Sequence, residues 1–222
     1  MILGLTEAGK QIQKLLTAYP NLCITESSPA LIKINGSIYV FRTALNFTVQ
    51  KTYPVEIDIP IGVDTLPSIR ETGNLIDPSY PHRYKHDGGL CLETDTAIRL
   101  RFIDGLDLVA WMDEFVEPYF FSYEYYMRYS EFPFGERPHY LEGILHTYQE
   151  IFHANSIQET ASLLVYTADN NYRGHMPCPC GSEKKLRSCH GLYLYPFMTD
   201  VRKKAIAISD ISYLRKELAS ID

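Results

Sequence analysis

Near its end the chain carries Cys178-x-Cys180-x8-Cys189-His190, three thiols within twelve residues followed at once by an imidazole. These four side chains are a full tetrahedral ligand set for Zn²⁺. Pro177 and Pro179 stiffen the first ligand pair, and Gly181 permits the turn that folds the loop over the metal. The stretch MPCPCGSEKKLRSCHG is therefore expected to form a compact, turn-rich unit around a structural ion, because four protein ligands leave no open position for water. Three thiolates, a neutral imidazole and Zn²⁺ leave about one negative charge, which Lys184, Lys185 and Arg187 soften. A redox pair and simple buried thiols are the alternatives, and both leave His190 and the Pro/Gly punctuation unexplained.

The chain has 222 residues and five cysteines, so Cys23 and Cys91 remain outside this cluster. An odd count, spread unevenly, does not read as a secreted disulfide framework. The opening MILGLTEAGKQIQK has no small-residue cleavage site, and no apolar run reaches the length of a membrane span, so a cytoplasmic protein with no membrane association is expected. Hydrophobic residues make up 45% and charged residues 22%, which suits a packed globular chain. The net charge of −6 conceals an asymmetry. Residues 1–170 carry a balance of −10, and residues 171–222, with 9 Lys/Arg against 5 Asp/Glu, one of +4. Such a balance argues against direct nucleic-acid binding and leaves a basic tail able to dock an acidic partner.

The hydrophobic pattern predicts an α+β fold. Leu5, Ile12, Leu15 and Leu16 fall at helical spacing over Leu5–Ala18, before Pro20. The runs LIKI and SIYVFRTALNF flank Asn35-Gly36, a dipeptide that suits a tight hairpin turn. YPVEIDIP alternates Val55, Ile57 and Ile59 with Glu56 and Asp58, as a strand with one buried face does. Together these predict an antiparallel meander. Periodicity is lost from Pro60 to Leu92 and returns as helices over Leu106–Met127 and Tyr140–His153, with a connecting helix or strand over Asn155–Ala168 and a tail helix from Asp200. Seven aromatics in the eleven residues Tyr119–Tyr129 are either a partner face or a buried helix surface. Trp111 and Cys23 are expected in the core, and Phe134–His139 as a solvated loop. The expected organisation is a domain over 1–153, a connector over 154–170, the zinc motif over 171–193 and a tail over 194–222.

The irregular stretch ends in YPHRYKHDGGLCLETD, where His82, His86 and Asp87 precede Cys91 by at most nine residues. A cysteine is commonly just a small buried apolar residue. Beside histidines, however, it can be held as the thiolate that attacks a carbonyl or a thioester.

Two resemblances follow. PCPCGSEKKLRSCHG resembles the SEC-C motif, a small zinc-binding unit first noted at the tail of a bacterial secretion ATPase, which implies a binding appendage with His190 as the final ligand. The order of N-terminal helix, antiparallel meander, Pro-containing loop, Gly-x-x-Cys-Leu and helices resembles the ubiquitin-conjugating enzyme core over about residues 5–150. Gly88-Gly89-Leu90-Cys91-Leu92 matches that family's active-site element in register. Tyr80-Pro81-His82-Arg83 is a degraded form of its His-Pro-Asn, and Tyr53-Pro54 matches its Tyr-Pro at the third strand. The resemblance implies a UBC-like fold in which Cys91 carries a protein's C-terminal glycine as a thioester and passes it to a target lysine. The family's Asn is absent, with Arg83 or Tyr84 near its place; His82, His86 and Asp87 are the candidates to take over its work. The altered loop resembles bacterial conjugating enzymes, some of them from CBASS anti-phage operons, which implies a cGAS/DncV-like nucleotidyltransferase as the protein conjugated. The alternatives are a non-catalytic adaptor that binds a partner through the zinc motif, and a cysteine hydrolase using Cys91 with His82 or His86.

Overall fold

The structure, a computed structural model, describes residues 3–136 and 138–219. It is a mixed α+β chain that divides into two compact units. The first comprises Met1–Glu93 and Asp104–Glu136; the second comprises Thr94–Ile103 and Arg137–Asp222.

The first unit opens with α1, Leu5–Ala18, bounded as the periodicity predicts and stopped before Pro20. Its buried stripe is Ala8, Gln11, Ile12 and Leu15, while Leu5 stays exposed. Gln11 enters the interior because it has a partner: its Oε1 accepts the backbone N–H of Leu108 at 3.3 Å. Four antiparallel strands follow in the order β1 Leu22–Ser27, β2 Leu31–Ala44, β3 Phe47–Pro60 and β4 Ser68–Glu71. The two long strands alternate. Ile32, Ile34, Ile38 and Val40 of β2 and Val49, Tyr53, Val55, Ile57 and Ile59 of β3 are buried. On the other face Glu56 and Asp58 each receive Arg70, at 2.7 Å.

The hairpin turn lies ten residues beyond its expected place. Asn35-Gly36 sits inside β2, paired with Cys23 and Leu22, and the β2–β3 turn is Leu45-Asn46, both at positive φ. Gly36 meets a different demand. At φ +149° its α-carbon faces Asn21 so closely that a β-carbon would stand 2.0 Å from the Asn21 carbonyl oxygen. Cys23 corrects a second expectation: Leu22 takes the inward position of β1, so strand alternation turns Cys23 outward, and it is exposed.

The later part of this unit is one long helical stretch: α3 Leu108–Trp111, a π turn over Met112–Val116, and α4 Glu117–Tyr129. Asp107 caps it, accepting the N–H groups of Val109 and Ala110 at 3.0 Å. Trp111 is fully buried. The aromatic block is a core face: Tyr119, Phe120, Phe121 and Tyr123 are buried, and Phe120 stacks on Tyr53 with ring centres 4.1 Å apart. Tyr53 in turn donates to Glu124 at 2.6 Å. Phe134 is exposed as expected of its loop; Arg137 of that loop lies outside the described residues.

The second unit contains α2 Asp95–Arg101, α5 Tyr140–Phe152, α6 Ile157–Asp169, a short turn Leu186–Ser188, α7 Gly191–Thr199 and α8 Val201–Leu218. Neither α2 nor α7 was marked by periodicity. α2 is only seven residues long, and α7 carries Pro196 within it. Tyr148, Phe152, Leu163, Leu164, Leu194 and Phe197 form its core, and Cys178 and Leu186 of the cysteine loop are buried in the same cluster. No helix among the described residues is long and apolar enough to cross a membrane.

Candidate functional site

The loop that leads to Cys91 is held by its backbone. The buried Glu71 carboxylate accepts the N–H groups of Gly73, Leu75 and Ile76. The Tyr123 hydroxyl accepts from Asp77 N–H and donates to the Leu75 carbonyl, both at 3.0 Å. From Tyr80 onward the chain makes a narrow antiparallel loop. Tyr84 N–H donates to Gly89 at 2.8 Å, Cys91 N–H to His82 at 2.8 Å, and Leu90 N–H to Ile69 of β4 at 2.9 Å. Cys91 is thus anchored through the backbone on both sides, although the stretch lacks periodicity.

This pairing sorts the three candidate neighbours. His82 lies across the loop from Cys91, and its ring nitrogen and the Cys91 sulfur are within 4.8 Å of one another. His86 and Asp87 occupy the exposed turn instead. There His86 Nε2 stands 3.3 Å from Asp87 Oδ2, with 76% and 48% of the side chains exposed, and Asp87 Oδ1 accepts Gly89 N–H at 2.9 Å.

Sequence reading missed the aromatic wall around the pair. Tyr80 lies with its ring centre 5.7 Å from His82, 5.8 Å from Tyr119 and 5.1 Å from Tyr123, and Phe132 meets His82 edge-on at 5.1 Å. Burial drives the Tyr80 and Tyr119 phenols well above the ordinary range, and the nearby Cys91 sulfur adds to it in both. Both hydroxyls therefore stay protonated and can donate. The one signal for this wall was the crowded block from Tyr119, and it does not say which ring faces which loop.

In the second unit Cys178, Cys180, Cys189 and His190 converge as their spacing predicts, with one ligand atom from each within 4.8 Å of the rest. His190 Nδ1 stands 3.4 Å from Cys178 Sγ and 3.3 Å from Cys189 Sγ, and Cys180 Sγ stands 3.6 Å from Cys189 Sγ. A tetrahedron with metal–ligand bonds of about 2.0–2.3 Å has edges of about 3.3–3.8 Å, so the donor set fits a metal ion of that size. The loop is built as a small ribbon: Cys178 N–H donates to the Lys184 carbonyl and Leu186 N–H to that of Met176, both at 2.8 Å, with Gly181 at φ +80° in the turn.

Burial pushes the Cys178 thiol up to about 12. At Cys180 burial acts in the same direction but is outweighed by the Ser182 hydroxyl and N–H, which hold the thiol down to about 6. A buried divalent cation supplies the charge that keeps all such sulfurs as thiolates. His190 Nε2, on the far edge of the ring, faces Glu159 Oε1 of α6 at 3.5 Å. Glu159 also accepts from Asn155 N–H at 2.7 Å. Ser156-x-x-Glu159 reads in sequence only as the start of a helix, which it also is.

Comparison with known proteins returned no matching family model, curated protein or solved structure.

Proposed function

We propose that this chain is a cytoplasmic ubiquitin-conjugating-like acyltransferase with a UBC-like first unit and a structural zinc site of the SEC-C type. Cys91 carries the acyl group. Its thiolate attacks the carbonyl carbon of a protein's C-terminal glycine that an activating enzyme supplies as a thioester or acyl adenylate. The activating group departs with its electron pair. A lysine amine of the target then attacks the new thioester, an isopeptide bond forms, and Cys91 leaves as the thiolate while the surplus proton passes to a base. The thioester is already activated, so presentation and charge stabilisation are the main requirements.

The observation that carries this reading is the placement of a histidine nitrogen within 4.8 Å of Cys91, on a loop whose backbone is paired to the edge of an antiparallel sheet. His82 is assigned as the base. Cys178, Cys180, Cys189 and His190 would hold zinc, which supplies a fold-stabilising clip and takes no part in transfer. The protein conjugated is assigned as a cGAS/DncV-like nucleotidyltransferase of an anti-phage operon, on the resemblance of the active-site loop.

The test is a pull-down of the Cys91→Ala protein and the native chain from a host that expresses the neighbouring genes. The native chain should carry a mass adduct removed by thiol reductant, Cys91→Ala should carry none, and Cys91→Lys should carry one that resists reduction. An adduct that survives in Cys91→Ala overturns the reading. A Cys91 inert to mild alkylation points to an adaptor instead.

A further inference from the structure

Helix α4 stops at Tyr129 because Ser130 takes the left-handed conformation, φ +57°, and donates its N–H to the Tyr126 carbonyl at 2.7 Å. That cap turns the chain back onto the helix it has just left. Two residues on, Phe132 lays its ring against Tyr126, with centres 4.7 Å and planes 27° apart. Pro133 follows at once and disfavours a helical backbone at Phe132, whose carbonyl accepts Gly135 N–H at 3.3 Å. The same half-buried ring meets the imidazole of His82 edge-on at 5.1 Å. Tyr80 stands 5.7 Å from His82 and 6.3 Å from Phe132, so the three rings close a triangle. Tyr80 is fixed in turn by Tyr119, Tyr123 and Tyr126 of α4.

We propose that Phe132 is a positioning residue of the Cys91 site: its ring clamps the His82 imidazole against Tyr80 and so keeps a ring nitrogen within reach of the Cys91 sulfur. The backbone already holds both partners. Cys91 N–H donates to the His82 carbonyl at 2.8 Å and Arg83 N–H to that of Tyr80 at 3.2 Å, which leaves the side-chain torsions of His82 as the freedom to be removed. An imidazole free to turn about them spends part of its time away from the thiol and loses effective concentration as a base. The Tyr80 and Phe132 rings take up that freedom, and the nitrogen stands within 4.8 Å of the sulfur. When the pair ionises, the thiol proton passes to that nitrogen and the electron pair stays on sulfur. Tyr80 is 4% exposed and belongs to the core, whereas Phe132 is half-buried on a loop, so the fold can spare its ring. The inference rests on the assignment of His82 as the base of Cys91, and needs acyl transfer only for its second readout.

The variants are Phe132→Leu, which removes the ring, and Phe132→Tyr, which keeps it. Both should melt within about 4 °C of the native chain. Iodoacetamide alkylation of Cys91, read by peptide mapping across pH, should have its midpoint moved up by about one pH unit in His82→Gln, which takes the base away. Phe132→Leu should move it most of that way, and Phe132→Tyr should keep the native value. The double variant His82→Gln with Phe132→Leu should match His82→Gln alone, because a ring that acts through the imidazole has nothing left to act on. An unmoved midpoint in Phe132→Leu or in His82→Gln overturns the inference, as do shifts that add in the double variant or persist in Phe132→Tyr. The acyl step is read separately, with a peptide ending in Gly-Gly as its mercaptoethanesulfonate thioester to load Cys91 and free lysine as acceptor. Phe132→Leu should discharge about tenfold more slowly at saturating lysine, with the half-saturating concentration changed by less than about twofold. A loss confined to half-saturation assigns the ring to lysine binding and overturns the positioning role. A native protein that the thioester does not acylate refutes the transfer reading, while the alkylation cycle still decides the role of Phe132.

Discussion

His190 meets the cysteine sulfurs through Nδ1 and turns Nε2 toward Glu159 at 3.5 Å. A ring proton placed on Nε2, beside the carboxylate, leaves Nδ1 free for a metal. Glu159→Gln should lower zinc affinity by about 10–100-fold, measured by competition with a chromophoric chelator. Equal affinities would show that the pair holds the helix start and nothing more.

The cysteine loop shares a core with α5, α6 and α7, since Cys178 and Leu186 are packed in the same cluster as Phe152 and Leu194. Metal removal should therefore reach beyond the loop. We expect one zinc per chain by elemental analysis, and a strong chelator should lower the thermal midpoint with loss of helical circular dichroism. Cys178→Ser should reproduce the effect and be insensitive to chelator. A chelated protein that melts unchanged contradicts the assignment.

Gly36 lies where a β-carbon would stand 2.0 Å from the Asn21 carbonyl oxygen. Gly36→Ala must therefore move β1 away from β2 or distort the turn before it. The expected destabilisation is at least about 2 kcal/mol in urea unfolding, with little change in slope. Gly62→Ala is the control, because it has a positive φ but open space around it. A Gly36→Ala chain as stable as the control would show that the contact relaxes freely.

Asp210 accepts the hydroxyls of Tyr148 and Thr96, each at 2.8 Å. Burial still holds its carboxyl above the ordinary range, against the lowering effect of those two bonds. A carboxyl whose folded value exceeds its unfolded one, near 3.9, favours folding in acid. That contribution is lost as the pH rises through the folded value. Asp210→Asn keeps an acceptor and carries no charge. Its thermal midpoint relative to the native chain should improve from pH 4 to pH 7, and a difference independent of pH would exclude the charge as the cause.

How much of this the sequence discloses depends on the distance over which each feature is decided. Helix α1 is bounded as its spacing predicts, and Cys178, Cys180, Cys189 and His190 converge, because both patterns are resolved within a few turns of chain. Asn35-Gly36 carries the local chemistry of a turn, yet what uses Gly36 is a carbonyl from Asn21 on the approach to β1, beyond any local window. Cys23 is misplaced by the parity of a single residue: Leu22 faces in, so its neighbour faces out. The same limit applies at the thiol. His82 and His86 are equally close in sequence to a functional reading, and only the pairing of Cys91 N–H with the His82 carbonyl separates them. Glu159 comes from a helix remote in sequence from the imidazole it faces, and nothing in its own neighbourhood marks it.

The path of the chain between its two units has a consequence for how such a protein can change. The first unit is interrupted by Thr94–Ile103, which belongs to the second, so the chain passes between them three times. One recombination breakpoint therefore cannot exchange either unit by itself: a cut between Glu93 and Thr94 splits the first unit, and a cut after Ile103 separates α2 from its partners α5 and α8. The zinc-bearing half can be replaced only together with a ten-residue insert placed immediately after the Cys91 loop, so inheritance ties the two halves to one another.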